Sequence, residues 1–390
     1  MIPGWKIRRE LGRIVEQVRN IPAQLLEPYH RARYDRQRWT RITTRSGAQP
    51  QTAKVCLFLI YQPGALPPSI VATCAFLSRH GYCVIVVANG GLPPGAAGLL
   101  HDHVWQVLER PNLGYDFGGY QDGVKYLNRC GVVPDRLLIL NDSIWFPLDC
   151  STDVVQQLES SPHDLCGLML HSPARNDEPS RDAREEGHRR QMAVRKKAEH
   201  IESYVFAVQR AIFLSDAFQS FWERYAWSSS KSLTIKRGEV GFSRHMARHG
   251  KTVGAISSRH LFVERLAGRD DGFLRKTLVY AAYSDPDLAA ERQRLLAADQ
   301  TAEWRAMALD HMACTVRRRR FNASFSWATE EMFHTSFVKK HPGRLFQLGR
   351  IRFVDAVARG DLVADNLPAL AELRDRVAKD SLALDLETVQ

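Results

Sequence analysis

The run Leu137-Leu-Ile-Leu-Asn-Asp-Ser143 joins four aliphatic residues to three side chains that carry oxygen. A short continuous apolar run is typical of a strand that is buried on both faces of a parallel sheet. Ligands of such sheets bind just outside the carboxyl ends of the strands. The sequence therefore predicts a binding edge at Asn141 and Asp142, although an Asx-type turn that merely ends the strand is an equally good interpretation.

Three more apolar runs predict neighbouring strands, at Val55–Tyr61, Tyr82–Ala88 and Asp164–Leu170. Between the first two, Ser69–His80 has apolar residues at helical spacing. Buried strands that alternate with helices indicate an α/β fold, with a Rossmann-type, mainly parallel sheet flanked by helices.

The 390 residues are enough for two or three domains of ordinary size. We predict a basic amphipathic segment and linker over residues 1–50, the α/β domain over 51–268, and a mainly helical C-terminal region over 269–390. Helical spacing is seen at Tyr204–Ala226, and most clearly at Leu288–Met312.

Lysine and arginine outnumber aspartate and glutamate by 54 to 43, which gives a net charge of +11. Residues 1–45 contain eleven basic and four acidic residues, and residues 311–350 contain eight basic and two acidic residues. The rest of the chain is therefore nearly neutral. A basic chain suggests an anionic partner, such as nucleic acid, a membrane surface or a phosphorylated substrate.

An amphipathic helix with a basic face is predicted from Trp5 to Ile21, where Pro22 ends it. This helix either lies in the interface of an anionic membrane or packs on its own protein. The apolar runs are too short to span a bilayer, and the seven scattered cysteines are typical of reduced thiols. We therefore expect a cytoplasmic protein that is peripheral at the inner face of a membrane.

Nucleic acid is the competing partner for the basic residues. Surfaces that bind single strands interleave aromatic and basic residues, and the two basic stretches do not have this pattern. The sequence also has no zinc-finger or recognition-helix signature. We therefore expect no nucleic-acid partner, and a nucleic-acid-binding protein is kept as the alternative interpretation.

A glycine-rich stretch, Asn112-Leu-Gly-Tyr-Asp-Phe-Gly-Gly-Tyr-Gln-Asp-Gly123, leads into a predicted helix at Tyr120–Asn128. Its glycines follow neither the G-x-G-x-x-G pattern nor a P-loop pattern, which argues against nicotinamide and P-loop nucleotides. So many glycines indicate a backbone that passes close to another group. Either a ligand lies beside Asn112 and Asp116, or the stretch is a tight turn into the helix.

The order of these features resembles the donor half of a GT-A glycosyltransferase, and more narrowly the rhamnan synthesis protein F family of bacterial surface-polysaccharide enzymes. The resemblance covers about residues 55–345 of the chain. The stretches that carry it are Asn112-Leu-Gly-Tyr-Asp-Phe-Gly-Gly-Tyr, Leu140-Asn-Asp-Ser, His200-Ile-Glu-Ser-Tyr-Val-Phe, Gly238-Glu-Val-Gly-Phe-Ser, Asn322-Ala-Ser-Phe-Ser-Trp and Phe337-Val-Lys-Lys.

The resemblance implies a GT-A-like enzyme that moves a sugar, rhamnose or another deoxyhexose, from a nucleotide diphosphate donor. The acceptor would be a growing surface polysaccharide or lipopolysaccharide glycan, including a lipid-linked one, at the inner face of the bacterial cytoplasmic membrane. A divalent cation, Mg²⁺ or Mn²⁺, would bind to Asp142. Many GT-A enzymes have two acids in this motif and this chain has one, so a catalytically inactive membrane-associated module is a further alternative.

The resemblance also assigns roles to individual residues. The residues expected to contact the donor are Asn89, Asn112, Asp116, Asn141 and Asp142. Glu239 is the candidate base that takes the proton of the acceptor hydroxyl, because a carboxylate within hydrogen-bond reach can do this; an ordinary acid at a helix N-terminus is the alternative. The residues expected at the acceptor or diphosphate are His200, Glu202 and Tyr204, and Glu202 stands where the family usually has Gln.

Overall fold

The computed structural model describes residues 25–172, 199–318 and 320–389. The predicted amphipathic helix Trp5–Ile21 lies outside the described residues, so both of its interpretations stay open. In the described part of the chain, no helix combines the length and apolarity needed to cross a membrane.

A nine-stranded sheet formed by the described residues is the centre of the fold. In spatial order its strands run β1-β4-β3-β2-β5-β9-β7-β10, with β8 paired to β7, while β6 and β11 form a separate two-stranded ribbon. The strands are β1 (Thr43–Ser46), β2 (Lys54–Ile60), β3 (Tyr82–Asn89), β4 (Gln106–Arg110), β5 (Arg136–Asn141), β6 (Ile144–Trp145), β7 (Leu165–His171), β8 (His200–Ile201), β9 (Val205–Gln209), β10 (Val253–Ser258) and β11 (Val338–Lys339).

The sheet is mainly parallel. Strand β2 lies parallel to β3 and β5, β3 is parallel to β4, and β7 is parallel to β10. Strand β9 is antiparallel to both β5 and β7, and β1 is antiparallel to β4. With helices on both faces, this sheet confirms the predicted α/β fold with a mainly parallel sheet, and all four strands predicted from apolar runs are present.

Helices cover the two faces of the sheet, because alternate strand residues point to opposite sides. In β2, Val55 and Leu57 pack with α1, α4, α7 and α9, whereas Cys56 and Phe58 pack on the side of α2 and the C-terminal helices. The helices are α1 (residues 25–41), α2 (Pro68–Arg79), α3 (Ala96–His101), α4 (Tyr115–Arg129), α5 (Val154–Glu159), α6 (Arg210–Phe213), α7 (Asp216–Arg224), α8 (Lys231–Thr234), α9 (Val240–Arg248), α10 (Arg259–Ala267), α11 (Asp271–Val279), α12 (Pro286–Ala297), α13 (Ala302–Arg318), α14 (Phe321–Ser324), α15 (Ser326–Phe333), α16 (Arg344–Ala358) and α17 (Leu367–Val389).

The prediction of helix throughout Tyr204–Ala226 was wrong for its first part. Residues Val205–Gln209 form β9, which lies between β5 and β7, and helix begins only at Arg210. A five-residue apolar run fits a buried strand as well as a buried helix, and here the free edges of β5 and β7 supply the hydrogen-bond partners.

The predicted helix Leu288–Met312 is two helices with a break at residues 298–301. Ala298 is extended, and the hydroxyl of Thr301 accepts a hydrogen bond from the backbone N–H of Trp304 at 3.1 Å, which starts the second helix. The indole N–H of Trp304 donates to the carbonyl of Leu295 at 2.8 Å, so the two helices fold back on each other. The mainly helical nature of this region agrees with the sequence-based expectation.

Helix α1 is integrated into the α/β domain. The Tyr34 hydroxyl donates to Oδ2 of Asp122 in α4 at 2.6 Å, and the buried Arg38 pairs with Oδ1 of the same carboxylate. At the other end of α1, Oε1 of Glu27 accepts from the hydroxyl of Ser228 at 2.7 Å. Part of the positive charge of residues 1–45 is therefore neutralised inside the protein.

Candidate functional site

Asp142 lies at the carboxyl end of β5, next to the end of β2. Its backbone N–H donates to the carbonyl of Leu59 at 3.1 Å. Its Oδ2 accepts from the backbone N–H of Tyr61 at 2.8 Å and from the side-chain amide of Gln62 at 2.6 Å. Burial raises the pKa of Asp142, and these donors together with the ammonium of Lys340 oppose that shift. The structure thus places this carboxylate at the predicted edge of the sheet.

The side chain of Asn141 is used inside the protein. Its Oδ1 accepts from the backbone N–H of Ser143 at 3.1 Å and from the Ser143 hydroxyl at 2.6 Å, which is an Asx-type turn. Its Nδ2 donates to the hydroxyl of Tyr120 at 2.9 Å. Asn141 therefore shapes the turn that presents Asp142, and its donor-binding role stays a prediction.

A pair of carboxylates, Asp116 and Glu239, meets at Ser203, in the segment between β8 and β9. The Ser203 hydroxyl donates to Oδ2 of Asp116 at 3.0 Å, and the Ser203 backbone N–H donates to Oε1 of Glu239 at 2.9 Å. Burial raises the pKa of both carboxyls, and the nearby Asp116 raises that of Glu239 further. Carboxyls with raised pKa values are suited to exchange protons near neutral pH.

Tyr120 connects the two groups of acids. Its hydroxyl accepts from Asn141 and donates to the carbonyl of Ser203 at 2.8 Å. Burial raises the pKa of this phenol, and the charges of Asp116, Asp142 and Glu239 add to the effect. The charges of three carboxylates that lie apart in the sequence therefore act on one buried hydroxyl.

Glu239 belongs to a single π-helical turn, Ile235–Glu239, which joins α8 to α9. Its backbone is helical on both sides, so Glu239 is inside a continuous helix and is not an acid at a helix N-terminus. Single π turns inside helices are frequent at functional sites. Gly238 lets this turn approach α4, because a Cβ at that position would lie 2.5 Å from the ring of Phe117.

The glycine-rich stretch packs against the sheet. Helix α4 starts at Tyr115, five residues earlier than predicted, after Gly114 with φ 74°. A Cβ on Gly119 would lie 2.1 Å from the side chain of Leu59 in β2, so only glycine allows this contact. The close neighbour of the backbone at Gly119 is therefore a strand.

Asn89 and Asn112 have different surroundings. Asn89 is buried, accepts from the guanidinium of Arg110 and donates to the carbonyl of Tyr115 at 3.2 Å. Arg110 also donates to the carbonyl of Leu113 at 2.9 Å, so it fixes the loop before α4. Asn112 is exposed on that loop. Asn89 shapes the loop, and Asn112 is the member of the pair that a ligand can reach.

Basic residues of the β6–β11 ribbon face the carboxylates. The backbone N–H of Lys340 donates to the carbonyl of Ser143 at 2.9 Å. The Nζ of Lys339 donates to Oε2 of Glu202 at 2.7 Å and lies 4.4 Å from the ring centroid of Tyr204. Burial lowers the pKa of both lysines. The ribbon thus brings two cations to the carboxyl edge of the sheet.

The residues expected at the acceptor have mixed placements. Glu202 is buried and carries Arg320 on one oxygen and Lys339 on the other. The Tyr204 hydroxyl donates to the sulfur of Met169 at 3.0 Å, so this hydroxyl points into the core. His200 is buried in β8 beside the ring of His171, at 4.8 Å between centroids. Glu202 is therefore the member of this group that lies among the charged residues.

A small cavity opens next to Glu202. Its volume is about 150 Å³, and it lies between the ends of β7 and β10 and the C-terminal part of α13. Its charged lining residues are Glu202, Arg259, Arg317 and Arg320.

The predicted divalent cation fits the described side chains poorly. Among the described residues, no group of three or more His, Cys, Asp or Glu side chains could hold a metal ion. Oδ2 of Asp142 already accepts two N–H donors, and the charge of the Lys340 ammonium acts on this carboxylate. Asp116 and Glu239 are bound to Ser203 instead. N–H donors and a cation stabilise an isolated carboxylate, and they compete with a metal for it.

The sequence did not single out Ser203, Gln62 or Tyr120 as site residues. Ser203 and Tyr120 lie within stretches that carry the family resemblance, which is the signal that could have identified them. Gln62 lies in the turn after β2 and has no such signal.

Comparison with known proteins supports the family resemblance. Residues 84–256 match the family described as rhamnan synthesis protein F, which confirms the expected family for this part of the chain. An uncharacterized protein, y4gN, of Sinorhizobium fredii is 26% identical over 256 residues. That alignment covers 66% of this chain and 62% of the relative, so the chain spans less than two thirds of the relative's length.

Two solved structures were also compared. A mannosyltransferase from Pyrobaculum calidifontis, in complex with GDP-Man and Mn²⁺, has a TM-score of 0.32 and 12% identity over 95% of this chain and 91% of its own. A mannose-1-phosphate geranyltransferase from Thermus thermophilus has a TM-score of 0.28 and 13% identity over 51% of this chain and 72% of its own. Scores this low carry no argument, so the description of the fold rests on the sheet itself.

Proposed function

We propose that this protein is a glycosyltransferase that moves a sugar from a nucleoside diphosphate donor to a hydroxyl group of a surface-polysaccharide acceptor. The match of residues 84–256 to the rhamnan synthesis protein F family supports this proposal. The observation that carries it is the meeting of Asp116 and Glu239 at Ser203, on the same side of the sheet as Asp142, Lys339 and Lys340. Buried carboxylates and cations together at the carboxyl edge of a parallel sheet suit a phosphate-bearing ligand and a proton transfer.

The chemistry assigned to the site is a single displacement. The acceptor oxygen attacks the anomeric carbon, the bond from that carbon to the diphosphate oxygen breaks, and its electron pair leaves with the nucleoside diphosphate. Glu239 takes the proton of the acceptor hydroxyl, and its raised pKa makes it a stronger base than an exposed glutamate. Asp116 and Ser203 position Glu239, and one displacement inverts the configuration of the anomeric carbon.

The finer parts of the proposal concern substrate and location. We propose rhamnose or another deoxyhexose as the transferred sugar, because the matched family is described as a rhamnan synthesis family. The acceptor is a polysaccharide or lipopolysaccharide glycan, with lipid-linked glycans included. The basic segment before α1 would hold the protein at the inner face of an anionic membrane.

The test measures binding and transfer separately. A panel of nucleoside diphosphate hexoses and deoxyhexoses is screened for a rise in the thermal midpoint, since a ligand of the folded state stabilises it. Release of nucleoside diphosphate is then followed for wild type, Glu239→Gln and Glu264→Gln, an exposed glutamate on α10. We expect Glu239→Gln to lose about 10²- to 10⁴-fold in rate with donor binding kept, and Glu264→Gln to behave as wild type.

Two outcomes would contradict the proposal. Absence of binding for every nucleotide sugar would remove the glycosyltransferase assignment. Full activity of Glu239→Gln, with binding intact, would remove Glu239 as the base and keep the enzyme class.

A further inference from the structure

We infer that Lys339 and Lys340, rather than a divalent cation, supply the positive charge that faces the donor diphosphate. This inference rests on the proposed function, because it concerns the same donor edge. It starts from the poor fit of a cation to the described carboxylates and from the placement of the two lysines.

Lys340 lies directly beside the turn that carries Asp142. Its backbone N–H is bonded to the Ser143 carbonyl at 2.9 Å, and its Nζ lies 5.2 Å from the ring centroid of Trp145. Lys340 is half-buried, and the charge of its ammonium acts on the carboxyl of Asp142. A diphosphate bound at the carboxyl ends of β2 and β5 would therefore lie near this ammonium.

Lys339 extends the positive charge toward Glu239. It shares Glu202 with Arg320, so two cations balance one buried carboxylate, and the three side chains carry a net charge of +1. The charge of Glu239 acts on Lys339 as well. Lysine is a common phosphate ligand in proteins, where it acts as a point charge.

The backbone of the lysine strand is fixed from behind. The buried Arg350 of α16 donates through Nη1 to the carbonyls of Lys339 at 2.9 Å and His341 at 2.8 Å. The buried Asp380 of α17 accepts from Nε of Arg350 at 2.8 Å. Charges held in position before the ligand arrives stabilise a leaving group without the cost of rearranging solvent or side chains. The C-terminal helices thus act as the support of a cationic strand.

The two sources of charge predict different responses to chelation. The probe is the nucleoside diphosphate that corresponds to the nucleotide sugar with the largest thermal shift. It is titrated calorimetrically into protein dialysed against EDTA, and again in the presence of millimolar Mn²⁺ or Mg²⁺. The variants are Lys340→Ala, Lys340→Arg and Lys339→Ala, and the matched control is Lys379→Ala, whose side chain is exposed on α17. The uncharged nucleoside is titrated in parallel, because it reports the base and ribose contacts without the diphosphate.

We expect the wild-type Kd in EDTA to lie within about twofold of its value with the metal, and Lys340→Ala to raise it about tenfold or more, a loss of about 1.4 kcal/mol. Lys340→Arg should retain most of the affinity, and Lys379→Ala should match wild type. Nucleoside affinity should be unchanged by Lys340→Ala, which a merely unfolded variant could not show.

Binding that disappears in EDTA and returns with Mn²⁺ would overturn the inference and leave the proposed function standing. Unchanged diphosphate affinity of both alanine variants would do the same. Absence of nucleoside diphosphate binding with and without metal would overturn the proposed function together with the inference.

Discussion

Arg38 in α1 and Lys340 after β11 come from the two basic stretches of the chain, but their surroundings differ. The Arg38 side chain is 3% exposed and is enclosed by Asp122, Asp35 and Tyr34. Lys340 is half-buried at the carboxyl edge of the sheet, beside Asp142. Arg38 uses its charge to hold α1 against α4, whereas Lys340 is the cation that we infer to face a phosphate. The net charge of a segment therefore says little about its partners until the acidic residues around it are known.

The largest effect that would test this comparison is expected at Asp122, in the first stretch's contact with α4. This fully buried carboxylate pairs with both Arg38 and Arg110. Asp122→Ala therefore leaves the buried guanidinium of Arg110 without a counter-ion and leaves Arg38 with only the exposed Asp35. Loss of one partner of a buried ion pair costs about 3–5 kcal/mol. We expect a loss of this size in urea unfolding, with the exposed Asp102→Ala as the control. A loss below about 1 kcal/mol would show that the cluster is not a structural clamp.

The next effect concerns the support of the lysine strand. Arg350→Met removes the donors to Lys339 and His341. It leaves the buried Asp380 with the half-exposed Arg376 and a 3.4 Å hydrogen bond from the Gln347 side chain. We expect about 3 kcal/mol of lost stability, by the same reasoning, and a raised KM for the donor in the folded fraction. Arg376→Met is the matched control, because Arg376 is 41% exposed and the same Asp380 keeps Arg350, and it should cost about 1 kcal/mol or less. An unchanged KM in Arg350→Met would show that donor binding does not depend on the support that Arg350 gives to the ribbon.

A smaller effect is expected in the pH dependence of the rate. Glu239 must be ionised to act as a base, so activity should fall as pH drops through its pKa, which burial and then Asp116 raise above the usual value of 4.5. Asp116→Asn removes the like charge, and the acid limb of kcat/KM should therefore move to lower pH. If the acid limb of kcat/KM does not move, ionisation of Glu239 is not what sets it.

The raised pKa of Glu239 affects activity and stability in opposite directions: as pH rises through this pKa, activity increases and the free energy of unfolding decreases. Its folded-state carboxyl holds its proton to a higher pH than in the unfolded chain, so folding stability is lost as pH rises from the unfolded value through the folded one. Glu239→Gln removes this titration, and its stability should vary less with pH over that window in urea unfolding than that of the wild type.

The smallest effect is expected at the exposed pair of Arg45 in β1 and Glu109 in β4. The two side chains are 2.6 Å apart, but Arg45 is 58% exposed, so solvent and salt screen the interaction. We expect Arg45→Ala to cost about 1 kcal/mol or less in urea unfolding. A cost comparable to that of Asp122→Ala would contradict the distinction between buried and exposed charge in the first basic stretch.

The fold could be predicted where strands are buried on both faces. The apolar runs around Leu57, Ile85 and Leu138 have few alternatives as strands in a compact protein. Strand β9 could not be predicted in the same way, because only Gln209 and Arg210 separate its apolar residues from those of α6, with no glycine or proline between them. Its identity as a strand depends on β5 and β7, which are distant in sequence.

The site could be predicted in part, for a related reason. The end of a parallel strand locates Asp142, whatever else surrounds it. Asn89 is hydrogen-bonded to Arg110, and Asn141 is hydrogen-bonded to Tyr120 and Ser143. The residue type alone does not tell whether an asparagine bonds to such a partner inside the protein or to a ligand. Lys339 and Lys340 reach the carboxyl edge of the sheet only through tertiary packing, so their role could not be predicted from the spacing of residues in the sequence.

The ribbon of β6 and β11 also has a consequence for synthesis of the chain. The donor edge is built from residues before position 145, but its cations arrive with Lys339 and Lys340, and the brace behind them is complete only at Asp380. Almost the entire chain must therefore be synthesised before Lys339, Lys340 and their support are all present at this edge of the sheet. On the inference above, a chain that ends before Lys339 would contain the strands of the nine-stranded sheet and the three carboxylates but would bind diphosphate weakly.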